Sequence, residues 1–228
     1  MEAYLDTNVW KRLKFNFAFS RYIQSHPYIW KNETKSVAAI PVKSIDFLHW
    51  CFSVTLAFLY CIFVQFRSVE LFLDPCSSTI ECVLIQVMVV YHATNAIMEP
   101  TYLFQPDEVP RFANTHIKFL RAVSRAYKMN VEQVKKLYGP FGAILGIYQA
   151  CFWTNQCFLV VIALARPWSP DLLSSLMPNA RGLGWQWRIP FGILHAYLLA
   201  TIAQTFLMLL GFEILVILTT NGLLSILR

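Results

Sequence analysis

Polar side chains interrupt the long apolar runs of this sequence, and they are the residues whose types and spacing could do chemistry. In the run at residues 80–98, His92 and Asn95 are three positions apart and share one face of a helix. Gln86, six positions from His92, faces another side. Because polar groups are costly to bury in hydrocarbon, each is a candidate for ligand binding or gating. The structural alternative is an interhelical hydrogen bond.

The runs at residues 141–165 and 189–220 carry similar groups. In the first, Tyr148 and Trp153 belong to a polar and aromatic belt that also contains Gln149, Thr154, Asn155 and Gln156. A pocket for a small organic molecule needs this mixture of apolar walls and a few polar groups. In the second, Tyr197 is accompanied by His195, Gln204 and Glu213. We expect Glu213 to reach the membrane interface or to pair with a basic residue.

The usual motifs of soluble enzymes are missing from the sequence. It contains no Gly-rich phosphate loop, no G-x-S-x-G elbow and no H-E-x-x-H pair. The five histidines form no H-x-x-x-H pair, and the six cysteines show no zinc-binding spacing. We therefore predict no catalytic residue, no metal site and no cofactor.

The elements that must position these polar groups are membrane-spanning helices. The chain is 57% hydrophobic and 14% charged, against about 45–50% and about 25% in ordinary soluble domains. Four stretches are long and apolar enough to span a bilayer, at residues 47–66, 80–98, 141–165 and 189–220. They are apolar at both odd and even positions, which excludes barrel strands. The predicted fold is an all-α polytopic membrane protein, with residues 1–228 as one membrane domain.

Lys and Arg are distributed unevenly among the connections. A cytoplasmic N-terminus places fifteen of the nineteen on the cytoplasmic side, in the tail at residues 1–46, the connector at 99–140 and the last residue. The positive-inside rule therefore predicts a cytoplasmic N-terminus. The net charge of +6 then serves to hold the chain at an anionic leaflet of the lipid bilayer, and we predict no nucleic-acid partner. The sequon Asn32-Glu33-Thr34 tests this orientation.

The tail and the connector carry helical patterns of their own. In the tail, apolar residues are mixed with Lys11, Arg12 and Lys14, which predicts an amphipathic segment lying on the membrane. In the basic connector, apolar residues recur at helical spacing. We expect a further helix at residues 131–138 to continue into the third span, with a kink at Gly139-Pro140.

This arrangement resembles the N-terminal half of arthropod gustatory and odorant receptors, in particular the divergent receptor-like proteins of springtails. The shared pattern is a basic inner tail, a polar second span, a long basic inner connector and a Trp- and Pro-containing outer loop. The strongest local likeness is the segment PRFANTHIKFLRAV, in which Asn114 and Phe119 form an Asn-x-x-x-x-Phe element.

The resemblance implies a subunit of a tetrameric, ligand-gated cation channel of the plasma membrane that binds a small organic ligand. Such receptors have seven spans and a pore lined by the last one, so a chain of four spans is expected to be a truncated or partial subunit that does not conduct alone. The ligand-binding candidates carried over are His92, Asn95, Tyr148, Trp153 and Tyr197.

Four other classes of membrane protein stay open. A G-protein-coupled receptor fragment would have an outside N-terminus, against the charge distribution, and Ala165-Arg166-Pro167 stands where an Asp-Arg-Tyr-like triplet is expected. A small transporter would normally show internal repeats, and an embedded enzyme would need converging His or carboxylate groups. The last alternative is a four-span structural protein.

Overall fold

The computed structural model describes residues 8–126 and 131–227. Its helices are α1 (Asn8–Ile23), α2 (Ile45–Leu73), α3 (Thr79–Phe104), α4 (Glu108–Ala126), α5 (Val131–Ala165) and α6 (Trp185–Leu227). Between α1 and α2, the strands β1 (Tyr28–Lys31) and β2 (Ser36–Ala39) form an antiparallel hairpin. Two short 3₁₀ helices, Leu173–Leu176 and Ala180–Gly182, lie between α5 and α6.

Four of these helices, α2, α3, α5 and α6, are long and apolar enough to cross a membrane. This confirms the predicted fold, an all-α protein with four candidate spans. The helix pairs α2–α3 and α5–α6 make the most extensive contacts between elements. We call the end of the bundle that carries α1, the hairpin and α4 the α1 end, and the end with the 3₁₀ helices the opposite end.

The ends of the long helices follow from local chemistry. At the start of α2, the Ser44 side chain accepts a hydrogen bond from the Phe47 N–H at 3.2 Å, which caps the helix. α5 ends directly before Arg166-Pro167 because a proline cannot continue the backbone ladder. Pro140 lies inside α5, so the helix expected at residues 131–138 and the third span are one continuous helix.

The apolar face of α1 packs against other helices, not against lipid as the sequence suggested. Its buried apolar side chains are Val9, Trp10, Leu13 and Phe17. The first three join one cluster with side chains from α4, α5 and α6. An amphipathic pattern identifies the face of a helix that is buried, but not the surface that covers it.

Contacts along α1 also give its direction. Near its start, the backbone of α1 at Asn8 approaches Gly142 of α5 so closely that a Cβ atom there would lie 2.9 Å from the Asn8 Cβ. Near its end, Phe19 meets Trp153 of α5 edge-on, with ring centroids 4.9 Å apart. α1 and α5 therefore run side by side in the same direction.

The hairpin is held on α4 by Asn114, the first residue of the Asn-x-x-x-x-Phe element. Its side-chain oxygen accepts a hydrogen bond from the Val37 N–H at 2.8 Å, and its amide nitrogen donates to the Val37 carbonyl at 2.8 Å. One side chain thus continues the ladder at the edge of β2. The sequence did not predict this hairpin.

The turn between α1 and the hairpin is buried, with Gln24 in a left-handed conformation at φ 51°. His26 is 1% exposed, and its Nδ1 accepts a hydrogen bond from the Tyr28 N–H at 3.3 Å. Burial lowers the pKa of His26 to about 4, so its ring is neutral at pH 7.

Candidate functional site

Three of the buried polar side chains meet among α2, α3 and α6. Tyr60 donates a hydrogen bond to the Asp171 carbonyl at 2.5 Å, and its oxygen lies 3.1 Å from Nδ1 of His195. Because the single hydroxyl proton is used on the carbonyl, the Nδ1–H of His195 must donate to the Tyr60 oxygen. This fixes the tautomer and orientation of His195.

His92 is the third member of this group. Its ring centroid lies 4.8 Å from that of Tyr60 and 6.2 Å from that of Tyr91. The side chain is 2% exposed, yet within the described residues neither ring nitrogen has a hydrogen-bond partner. A buried polar group of this kind is normally satisfied by water or by a bound molecule. We call Tyr60, His92 and His195 the histidine cluster.

A small cavity adjoins the histidine cluster toward the opposite end of the bundle. Tyr60 and His195 line it together with Ser174, Arg188 and apolar side chains. Its volume is about 10 Å³, which is room for roughly one water molecule. A larger ligand at this place requires the α5–α6 connection to move.

Asn95 and Gln156 extend the polar groups along α3 and α5. Asn95 is 2% exposed and follows His92 by one helical turn, and its side-chain oxygen has no partner among the described residues. Gln156 of α5 donates to the Tyr91 hydroxyl at 2.9 Å, while its own oxygen likewise has no partner in the described part of the chain. Within the described part of the chain, both amides therefore have an acceptor oxygen without a donor.

The five residues carried over from the resemblance do not form one site. His92 and Asn95 lie together, as their spacing predicted. Tyr197 instead donates from its hydroxyl to the Ile23 carbonyl at 3.2 Å. Trp153 packs on Phe19 of α1. Tyr148 is 48% exposed on the outer face of α5.

Sequence reasoning missed two residues of this region, Tyr60 and Glu99. Glu99 is 3% exposed, and its two carboxyl oxygens accept hydrogen bonds from the Trp50 indole N–H at 3.0 Å and from the Thr205 hydroxyl at 3.0 Å. α3 extends past the expected limit at residue 98 and so includes it. The signal was available, because His92, Asn95 and Glu99 are spaced at i, i+3 and i+7, which is one helix face.

Comparison with known proteins does not assign this chain to a family. No protein-family model, curated protein or solved structure matches this chain. The site must therefore be interpreted from its own geometry. It offers neutral donors and acceptors enclosed by aromatic and aliphatic walls. The adjoining cavity of about 10 Å³ has room for about one water molecule, so a small uncharged organic molecule fits only once the α5–α6 connection opens.

The described residues contain no candidate metal site. Within residues 8–126 and 131–227, no group of three or more His, Cys, Asp or Glu side chains could hold a metal ion. The two histidines of the histidine cluster contact Tyr60 rather than a carboxylate or a thiol.

Proposed function

We propose that this chain is the ligand-sensing part of a chemosensory receptor subunit of the ligand-gated cation channel type, located in the plasma membrane. Two lines of support combine: the resemblance of the sequence to arthropod chemoreceptors, and the polar groups enclosed by the four candidate spans. The observation that supports ligand binding is the position of His92, a fully enclosed ring whose two nitrogens lack hydrogen-bond partners within the described residues.

The ligand we propose is a small neutral organic molecule. His92, Asn95 and Gln156 supply hydrogen-bonding atoms, and the rings of Tyr60 and Tyr91 supply apolar walls. A charged ligand is disfavoured, because no ion pair in the described residues involves this region and an unpaired charge is costly to bury there.

Assembly into an oligomer is supported by the outer face of α5. Tyr148, Thr154 and Asn155 are exposed there, in a helix that is otherwise apolar enough to span the membrane. Hydroxyl and amide groups in hydrocarbon are stabilised by hydrogen bonds to neighbouring helices. We infer that further helices cover this face, as in a receptor built from several subunits.

A binding experiment on the full chain tests the proposed ligand site. We expect at least one compound in a panel of small alcohols, esters and sugars to raise the thermal midpoint of the detergent-purified protein. Replacing His92 with leucine keeps a side chain in that space and removes its hydrogen-bonding atoms, so the affinity for that compound should fall about tenfold. The measurement is a thermal-shift titration of both proteins.

His116→Ala is the matched control, since His116 lies on α4 and bonds within its own helix, to the Phe112 carbonyl at 2.8 Å. It should bind the compound as the parent does. The proposal fails if no compound in the panel shifts the midpoint, or if His92→Leu binds it with unchanged affinity.

The proposed orientation places the α1 end in the cytoplasm. Asn32, in the turn of the hairpin, then lies on the cytoplasmic side and does not meet the glycosylation machinery, although its side chain is exposed. We expect no glycan on Asn32 when the protein is expressed in eukaryotic cells, and a glycan when Arg181→Thr creates an Asn179-Ala180-Thr sequon at the opposite end. Mobility shifts with and without glycosidase measure both, and the reverse pattern would invert the topology.

A further inference from the structure

A basic groove lies at the α1 end, between α1, the hairpin and the first turns of α2. Its volume is about 800 Å³. The cationic side chains that line it are Lys11, Lys14 and Arg21, with His49 beside them. Aromatic and aliphatic side chains, among them Phe15 and Tyr22, form the rest of its wall. This face of α1 is opposite to the one that packs on α5 and α6.

The charges in the groove are not balanced. Asp46 lines it as well, but this carboxylate is engaged by Arg21 at 3.3 Å. The Lys14 ammonium lies 5.7 Å from the centre of the Trp30 ring. Within the described residues neither Lys11 nor Lys14 has a carboxylate partner. Two lysine ammonium groups are therefore available to an anion.

The start of α2 also carries exposed apolar side chains next in sequence to Asp46 and His49, which line the groove. Ile45, Leu48 and Phe52 are 70%, 65% and 64% exposed, and they are spaced along one side of the first two turns. α2 is a candidate membrane span from Ile45 onward. If α2 crosses the bilayer from Ile45 onward, the groove beside its first turns is at the depth of lipid headgroups.

We propose that the groove binds an anionic phospholipid. The phosphate lies against Lys11 and Lys14, and the acyl chains run along Ile45, Leu48 and Phe52. A free anion would use the two ammonium groups alone and would leave the adjoining apolar surface unused. A lipid matches both parts, and the aromatic walls suit the interface between headgroup and acyl chain. The proposal depends on the four candidate spans and is independent of the receptor proposal.

Native mass spectrometry of the detergent-purified full chain tests the site with phosphatidylglycerol as the probe. We expect phosphatidylglycerol to be retained in preference to phosphatidylcholine. Each lysine near an anionic lipid contributes about fivefold in affinity, so Lys11→Gln combined with Lys14→Gln should weaken retention about 25-fold. Replacing both lysines by arginine should preserve it.

The control is Lys118→Gln combined with Lys136→Gln, two exposed lysines on α4 and α5. It removes the same charge elsewhere and should leave lipid retention unchanged. Equal loss in the two double variants would show diffuse attraction and overturn the proposal. It is also overturned if inorganic phosphate or dihexanoyl phosphatidylglycerol competes as well as the long-chain lipid, since the apolar surface would then contribute nothing. Far-UV circular dichroism of each variant establishes that the helices are retained.

Discussion

Replacing Trp50 with alanine is expected to lower the free energy of unfolding by about 4 kcal/mol, the largest effect of a single substitution that we anticipate. The indole is fully buried at 0% exposure and packs with Phe47, at a centroid distance of 5.4 Å. Truncation leaves a cavity and also removes the N–H that Glu99 accepts. A buried carboxyl group that loses a donor adds its own desolvation cost.

Two variants separate packing from hydrogen bonding at this position. Trp50→Phe retains most of the ring volume and loses the bond to Glu99, so we expect a loss of about 2 kcal/mol. Trp187→Ala removes an indole that is 51% exposed, and a change below about 0.5 kcal/mol is expected. Reversible unfolding in mixed SDS micelles, followed by circular dichroism, measures all three. Equal losses at Trp50 and Trp187 would contradict the buried position of Trp50.

Substitution of Gly142 by leucine should detach α1 from α5. A Cβ at this position would meet the Asn8 Cβ at 2.9 Å and the Val9 backbone nitrogen at 3.2 Å, and a backbone atom cannot move aside as a flexible side chain does. We expect a loss of about 2 kcal/mol from overpacking. Amide exchange within α1 should accelerate as well, measured by hydrogen–deuterium exchange with mass spectrometry.

Gly139 provides a matched control one turn earlier in the same helix. Apart from its chain neighbours, a Cβ there would meet no atom of the described residues within 4 Å. Gly139→Leu should therefore leave exchange in α1 unchanged, and any cost of placing a side chain before Pro140 should stay within α5, because a proline disfavours the helical conformation of the residue before it. If both substitutions accelerate exchange equally, the close approach of α1 to α5 is wrong.

The spans were predictable because hydropathy is a local property of the sequence. α5 ends at Ala165 as Arg166-Pro167 indicated, and α2 and α6 cover the expected apolar runs. The hairpin was missed because its strands are four residues each and the turn between them has no Asn-Gly or Asp-Gly signal. Its partner, Asn114, is 77 residues away from Val37.

The candidate site was predictable in part. His92 and Asn95 were identified because polar residues inside an apolar run require a reason. Their neighbours Tyr60 and His195 could not be assigned, since that requires the rotation of three helices relative to one another. Tyr148 was expected to face a pocket and instead lies on the outer face of α5. Periodicity identifies residues that share a face, but it does not say which element that face meets.

The last carbonyl of α1 receives contacts from two spans at once. Ser53 of α2 and Tyr197 of α6 both have their hydroxyl oxygens within hydrogen-bonding distance of the Ile23 carbonyl, at 3.4 Å and 3.2 Å, and the two hydroxyls also contact each other, so their two protons are shared among three contacts. α2 and α6 also contribute Tyr60 and His195 to the histidine cluster. Tyr60 follows Ser53 by seven residues on α2, and His195 precedes Tyr197 by two residues on α6. Sliding of one helix past the other would strain both junctions together. The position of α1 is thus coupled to the packing of α2 against α6 in the interior of the bundle.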